Sequence, residues 1–129
     1  MGLYQELSGL LVVSMEQAVA APYCGLMLAD AGARVIKIER KEGDFARGYD
    51  RGANGNSVFF SWLNRGKESI AIDLNSDDDE ALLRSMLEKA DVFLHNLAPG
   101  ALARRGFGGD ALREHNLGLI TCEINGYGS

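Results

Sequence analysis

Leu10-Leu11-Val12-Val13, then Ala18 to Ala31, then Gly32 and Arg34-Val35-Ile36-Lys37-Ile38-Glu39, is the stretch on which the fold turns. Leu10 to Val13 is apolar on both sides of any pleat, as in a strand buried on two faces. Ala18 to Ala31 carries Leu26, Met27 and Leu28 on or near one face and predicts a helix, with Gly32 as its C-terminal stop. Arg34 to Glu39 is rich in β-branched residues and predicts a second strand. A strand, a helix and a strand in this order predict a right-handed crossover and parallel pairing.

The alternation continues. Lys41 to Ser57 is polar and holds Gly43, Gly48, Gly52 and Gly55, which predicts a loop. Val58 to Leu63 reads as an apolar, aromatic turn of helix, and Ser69 to Leu74 as a third strand. Ser76 caps a helix whose first turn holds Asp77, Asp78, Asp79 and Glu80, where the dipole favours acids. Leu82, Leu83, Met86 and Leu87 form its apolar face. Asp91 to His95 is a fourth strand, Pro99 opens a short helix through Arg105, Asp110 to His115 is another helical turn, and Leu119 to Ile124 is a fifth strand. The expected class is α/β, a Rossmann-like, mostly parallel sheet with helices on both faces, cut short after the fifth strand.

Composition agrees with one globular domain. The 129 residues are 47% apolar and 24% charged, which excludes disorder and fibre. A net charge of −5 and a pI near 5.0 argue against nucleic acid or an anionic membrane as partner. Two cysteines make no disulfide framework. Sixteen glycines exceed the roughly nine expected at average usage, so tight turns are frequent. The apolar runs break before the ~18 residues that span a bilayer. Leu10 to Ala21 has no basic region before it and is interrupted by Glu16, so it does not read as a signal peptide. Glu6 stands where a myristoylation motif needs Ser or Thr. A cytoplasmic protein is expected.

Ligands of parallel sheets sit outside the carboxyl ends of the strands, so candidate site residues lie in 15–22, 39–47, 74–75, 95–100 and 125–129. The first strand end has no G-x-G-x-x-G, and Glu39, placed where an acidic ribose ligand would sit, does not restore a dinucleotide site without it. Eight of the 13 basic residues lie between Arg34 and Lys67. Arg40 and Arg104 fall at the expected rim, where guanidinium groups suit a phosphorylated nucleotide. His95 ends a strand, Cys24 and Cys122 read as core, and their spacings with His115 give no metal signal. Asp44 reads as a loop organiser able to pair with Arg47.

Seven stretches together resemble one family. They are Leu7-Ser8-Gly9-Leu10, Leu28 to Glu39, Gly43-Asp44 with Arg47, Leu63-Asn64-Arg65-Gly66-Lys67, Ala90-Asp91-Val92, Asn96 with Pro99-Gly100, and Asn125-Gly126-Tyr127-Gly128. Their order and spacing resemble the start of a class III CoA-transferase, the group that includes formyl-CoA transferase, carnitine CoA-transferase and α-methylacyl-CoA racemase. The resemblance implies that residues 1–129 are the N-terminal part of a Rossmann-like CoA-binding domain, with the rest of the enzyme outside this chain. It implies coenzyme A or an acyl-CoA and a small carboxylic acid as ligands, no metal, and an interlocked homodimer of full-length chains. It also implies an aspartate that attacks the thioester to form a mixed anhydride and then an aspartyl thioester. That aspartate falls beyond Ser129, so no catalytic residue is assigned within the chain.

By the same resemblance Arg40 contacts the CoA phosphates, Ile72, Asp73, Leu74 and Asn75 line the adenine site with Asn96, Leu97 and Ala98, Arg104 reaches a phosphate, and Val19 and Ala20 border the thioester. Formyl-CoA transferase carries a glutamine where Val19 stands. Glu16 to Pro22 is more similar to members acting on C4–C5 dicarboxylates such as mesaconate, itaconate or citramalate. Two alternatives stand beside this reading: a 2-methylacyl-CoA racemase of the same fold, and a non-catalytic nucleotide-binding or dimerisation module.

Overall fold

A computed structural model describes residues 5–128. Five parallel strands form one sheet: β1 (Leu11–Met15), β2 (Arg34–Glu39), β3 (Glu68–Ala71), β4 (Val92–His95) and β5 (Ile120–Glu123). Their spatial order is β3-β2-β1-β4-β5, with every neighbouring pair parallel. The order reverses between β1 and β4, which makes that gap the topological switch point of a doubly wound sheet.

β1 lies at the centre, and residues from Val12 to Met15 are all buried. Alternation sends Val12 to one face and Val13 to the other. Val12 joins Ala21, Ala33, Val35 and Leu94 in a core beneath α1 (Ala20–Asp30). Val13 joins Met15, Ile38, Phe93 and Phe107 in a larger core that also takes Leu83 and Leu87 of α3 (Asp77–Leu87) and Leu112 of α4 (Gly109–His115). The helix α2 (Val58–Asn64) packs beside α1. Helices therefore cover both faces, as the alternation of patterns requires.

Polar contacts between distant segments pin the start of β1, and side-chain caps fix the helix starts. Asp91, just before β4, accepts the N–H of Leu11 at 2.7 Å. Asp50 accepts the N–H groups of Val58 and Phe59 and the Ser57 hydroxyl, and Ser57 accepts the N–H of Phe60, so α2 is capped by two side chains. Ser76 caps α3 as expected, and Asp79 of its first turn accepts the N–H of Asp73 at 2.8 Å.

The elements differ most from expectation at five places. β1 extends to Met15 instead of stopping at Val13. α1 starts at Ala20 rather than Ala18, because Ala18 has φ +61°, outside helical space. β3 ends at Ala71; the N–H of Ile72 still donates to the Glu39 carbonyl, after which the chain leaves the sheet. The segment after Pro99 forms turns and one 3-10 turn over Ala103–Arg105, closed by Gly106 in the left-handed region. A second 3-10 turn, Phe45–Gly48, interrupts the expected loop. Among the described residues no helix is long and apolar enough to cross a membrane.

Candidate functional site

The carboxyl ends of β1, β2 and β3 open into a cavity of about 410 Å³. Met15, Ile38, Ile72, Leu74 and Leu97 form apolar wall, and Gln17, Arg40, Lys41, Asp73 and Asn75 supply polar groups at the same opening. The wall exists because β3 stops early and residues 72–75 turn back over the strand ends. Arg105 holds that turn by donating to the Leu74 carbonyl at 2.7 Å and to Asn75 Oδ1 at 3.0 Å.

Arg40 stands at the mouth. Its Nε donates to the Gly43 carbonyl at 2.9 Å, and its guanidinium lies 4.0 Å over the Phe45 ring. The side chain is exposed yet held at two points, which leaves its other N–H groups for an anion.

Behind this opening the β2 side chains build a buried ionic cluster. Lys37 and Glu39 follow Val35 at two-residue spacing and share its face. Lys37 Nζ lies 2.7 Å from Asp44 Oδ2 and 3.4 Å from Glu16 Oε1. Lys67 donates to Glu16 Oε1, to the Pro22 carbonyl at 2.8 Å and to Asn64 at 3.0 Å. Ser14 donates to the second Glu16 oxygen at 2.6 Å. Two cations thus meet two carboxylates, which is how charges survive away from water. Burial pushes the Lys67 ammonium below its usual pKa, against the pull of Glu16.

Glu39 forms a second group. It accepts from Arg47 at 2.6 and 2.8 Å, from the Ser69 hydroxyl at 2.8 Å and from the Asp44 N–H at 2.9 Å. Burial by itself raises its pKa, but these hydrogen bonds outweigh burial and hold the carboxyl down at about 2. Both oxygens are engaged within the chain, so Glu39 is not disposed to grip a ribose. Arg47 pairs with Glu39, and Asp44 pairs with Lys37, which corrects the expected Asp44–Arg47 pair. Asp44 does organise its loop, accepting the N–H groups of Ala46 and Ala18.

Of the expected site residues, Arg40, Ile72, Asp73, Leu74, Asn75 and Leu97 come together on the cavity. Asn96 does not line it; its amide closes on the Gln17 backbone. Val19 and Ala20 lie exposed at the start of α1, and Ala98 and Arg104 lie exposed on the turns after β4, all outside the cavity wall. Glu16, Lys37 and Lys67 entered the sequence reading only as members of longer stretches, with no site role of their own. One signal was available: a lysine inside the apolar run Val35-Ile36-Lys37-Ile38 needs a buried counter-charge.

His95 borders a smaller space of about 210 Å³ between β4, β5 and α4, with Nε2 3.9 Å from Glu123. Burial lowers its pKa against the influence of Glu123. His115 is exposed at the end of α4. Cys24 and Cys122 are free thiols packed at the edge of the core beneath α1, and burial raises the Cys24 thiol, assisted by Cys122 and Glu16. Among the described residues no group of three or more His, Cys, Asp or Glu is placed to hold a metal.

A parallel sheet with helices on both faces and a cavity at its carboxyl edge defines a doubly wound α/β domain. Residues 7–129 match the model of CoA-transferase family III. The chain belongs to that family. It is 40% identical over 127 residues to a succinyl-CoA:mesaconate CoA-transferase of Haloarcula hispanica, covering 95% of this chain and 32% of that protein. It is 38% identical over 131 residues to a succinate–glutarate CoA-transferase of Agrobacterium fabrum, again covering 95% and 32%. The crystal structure of a CAIB/BAIF family protein from Brucella suis superposes with a TM-score of 0.89 at 34% identity, over 97% of this chain and 34% of that one. The chain therefore spans about a third of the length of these relatives.

Proposed function

We propose that this chain is the N-terminal, CoA-binding part of a cytoplasmic CoA-transferase that moves CoA from an acyl-CoA to a small carboxylic acid. The observation that carries the reading is the cavity at the β1–β2–β3 edge, with an apolar wall of Ile72, Leu74 and Leu97 beside the tethered Arg40. An adenine ring suits such a wall, and a phosphate suits the guanidinium at its mouth. Lys41 adds a second cation at the opening, paired with Asp73 at 3.6 Å.

In this reading the carboxylate nucleophile comes from polypeptide beyond this chain. It attacks the thioester carbonyl and expels CoA thiolate, leaving a mixed anhydride. The thiolate then attacks the enzyme's side of the anhydride, which frees the donor acid and leaves an enzyme thioester. The acceptor carboxylate attacks that thioester and expels the thiolate again. A final thiolate attack on the acceptor's side of the new anhydride gives the new acyl-CoA and restores the carboxylate. The relatives named for mesaconate and glutarate support a dicarboxylic acceptor and favour transfer over racemisation. The exposed Tyr23 and Trp62, in contact with each other, and the exposed Tyr49, joined to Trp62 through Phe59, present the kind of apolar surface that supports a homodimeric assembly of the full-length protein.

Titration calorimetry with CoA, dephospho-CoA and adenosine tests the reading. CoA is expected to bind more tightly than dephospho-CoA, and both more tightly than adenosine. No heat with CoA overturns the reading; equal binding of CoA and dephospho-CoA overturns the role of Arg40 at the 3′-phosphate.

A further inference from the structure

Gln17 follows β1 and Asn96 follows β4, the two strands that flank the switch point of the sheet. The Asn96 amide spans that gap. The Gln17 N–H donates to Asn96 Oδ1 at 2.9 Å, and Asn96 Nδ2 donates to the Gln17 carbonyl at 2.8 Å. Both ends of the amide face backbone, and the side chain does not line the cavity. One residue further on, the Ala18 N–H donates to Asp44 Oδ1 at 2.9 Å. Ala18 has φ +61°, a conformation unfavourable to a residue with a Cβ, so the turn is held against its own preference. Asp44 is itself fixed by Lys37, with its side chain out of solvent.

We propose that Asn96 and Asp44 are positioning residues. Together they fix the backbone of Gln17 and Ala18, and through it the entry of α1 at Val19 and Ala20, against the thioester end of a bound acyl-CoA. The inference rests on the CoA reading given above. It reassigns Asn96 from a ligand contact to a strut that acts through Gln17. A shift of about 1 Å in a reacting end costs on the order of 100-fold in rate while leaving distant binding contacts intact, so the loss belongs in turnover rather than in affinity.

The test uses the full-length enzyme carrying this chain. Asn96→Asp keeps an acceptor for the Gln17 N–H but sets a carboxylate oxygen against the Gln17 carbonyl. Asp44→Asn also disturbs the Lys37 ion pair, so Asn96→Asp, outside that cluster, is the deciding variant. Turnover is expected to fall about 10- to 100-fold, with KM for acyl-CoA and Kd for CoA unchanged within about twofold. Amide exchange at Gln17 and Ala18 is expected to accelerate without ligand. A rise in Kd with turnover retained makes Asn96 a ligand contact and overturns the proposal. Accelerated exchange with unaltered turnover overturns it too, because the turn is then released without consequence. A wild-type enzyme that neither binds nor turns over acyl-CoA removes the functional reading and the kinetic claim together; slow exchange persisting at Gln17 in Asn96→Asp overturns the strut on its own account.

Discussion

The Lys37 ammonium lies 2.7 Å from the Asp44 carboxylate, and both side chains are almost wholly withdrawn from solvent. This pair joins the middle strand of one half of the sheet to the loop that carries the cavity's arginine. Glu16, just after β1, meets Lys37 of β2 and Lys67, just before β3, so one neutral cluster ties the three strands together.

Removing one member leaves an uncompensated charge in the interior. Lys37→Met is therefore expected to destabilise the fold by about 3–5 kcal/mol, the range for breaking a buried pair from one side. Urea unfolding measures it. A loss below about 1 kcal/mol, the range of an exposed pair, would show that water reaches the cluster.

Glu39 contributes to the acid limb of stability, beside Asp50, whose carboxyl is also held down by its hydrogen bonds to Gly52, Val58, Phe59 and Ser57. Its folded pKa of about 2 lies below the usual carboxylate value of 4.5. A depressed carboxylate stabilises the fold fully above its unfolded pKa, and that contribution is lost as pH falls from 4.5 through about 2. The melting temperature is expected to fall over that window. Glu39→Gln is expected to lower stability at neutral pH and to flatten the slope between pH 4.5 and 2; an unchanged slope would mean that another carboxylate sets it.

Much of this architecture is legible in the sequence, for a physical reason. β2 occupies the same six residues in expectation and structure, because Arg34–Glu39 is a β-branched run set off by Gly32 and Arg40. Arg40, Leu74 and Asn75 were expected at the rim because they follow strand ends, and Ile72 and Asp73 through the resemblance; all five line the cavity. What was not legible depends on pairings between distant segments. Asn96 and Gln17 lie 79 residues apart, and Lys67 and Glu16 lie 51 apart, so neither contact leaves a local pattern. The helix predicted after Pro99 failed because Gly100, at its second position, adopts positive φ and breaks the run into turns.

Phe45 is expected to matter through Arg40. The ring lies 4.0 Å beneath the guanidinium, and its loss frees the side chain without removing the charge. Phe45→Ala is expected to weaken CoA binding by about 0.5–1 kcal/mol, the worth of an exposed cation–π contact. Arg40→Ala is expected to weaken it by about 1.5–3 kcal/mol, the worth of a charge-assisted hydrogen bond. Titration of both variants with CoA and dephospho-CoA separates the two effects. An equal loss in both would assign the role to the ring.

Ser57 is expected to set the stability of α2. Its hydroxyl accepts the Phe60 N–H at 3.0 Å while donating to Asp50 at 2.8 Å, and the residue is buried. Ser57→Ala removes the cap acceptor and is expected to cost about 1 kcal/mol. Thermal unfolding measures it, and a neutral outcome would show that Asp50 alone suffices for the cap.

Gly25 sets two tendencies against each other. It lies inside α1, where alanine is favoured over glycine by about 1 kcal/mol. A Cβ there would sit 2.6 Å from Glu16 Oε2 and 3.1 Å from Lys67 Nζ. Neither group is free to swing aside: Ser14 holds that Glu16 oxygen, and Lys67 is held by Glu16, Pro22 and Asn64. The contact must push the helix off the sheet or part the ion pair. Overpacking of this kind costs about 1–3 kcal/mol, which exceeds the propensity gain, so Gly25→Ala is expected to lower stability. Adding Glu16→Gln to Gly25→Ala does not relieve the clash, since the amide fills the same space. A more stable Gly25→Ala would show that Glu16 and Lys67 can yield, and would count against a rigid cluster beneath the β1–α1 turn.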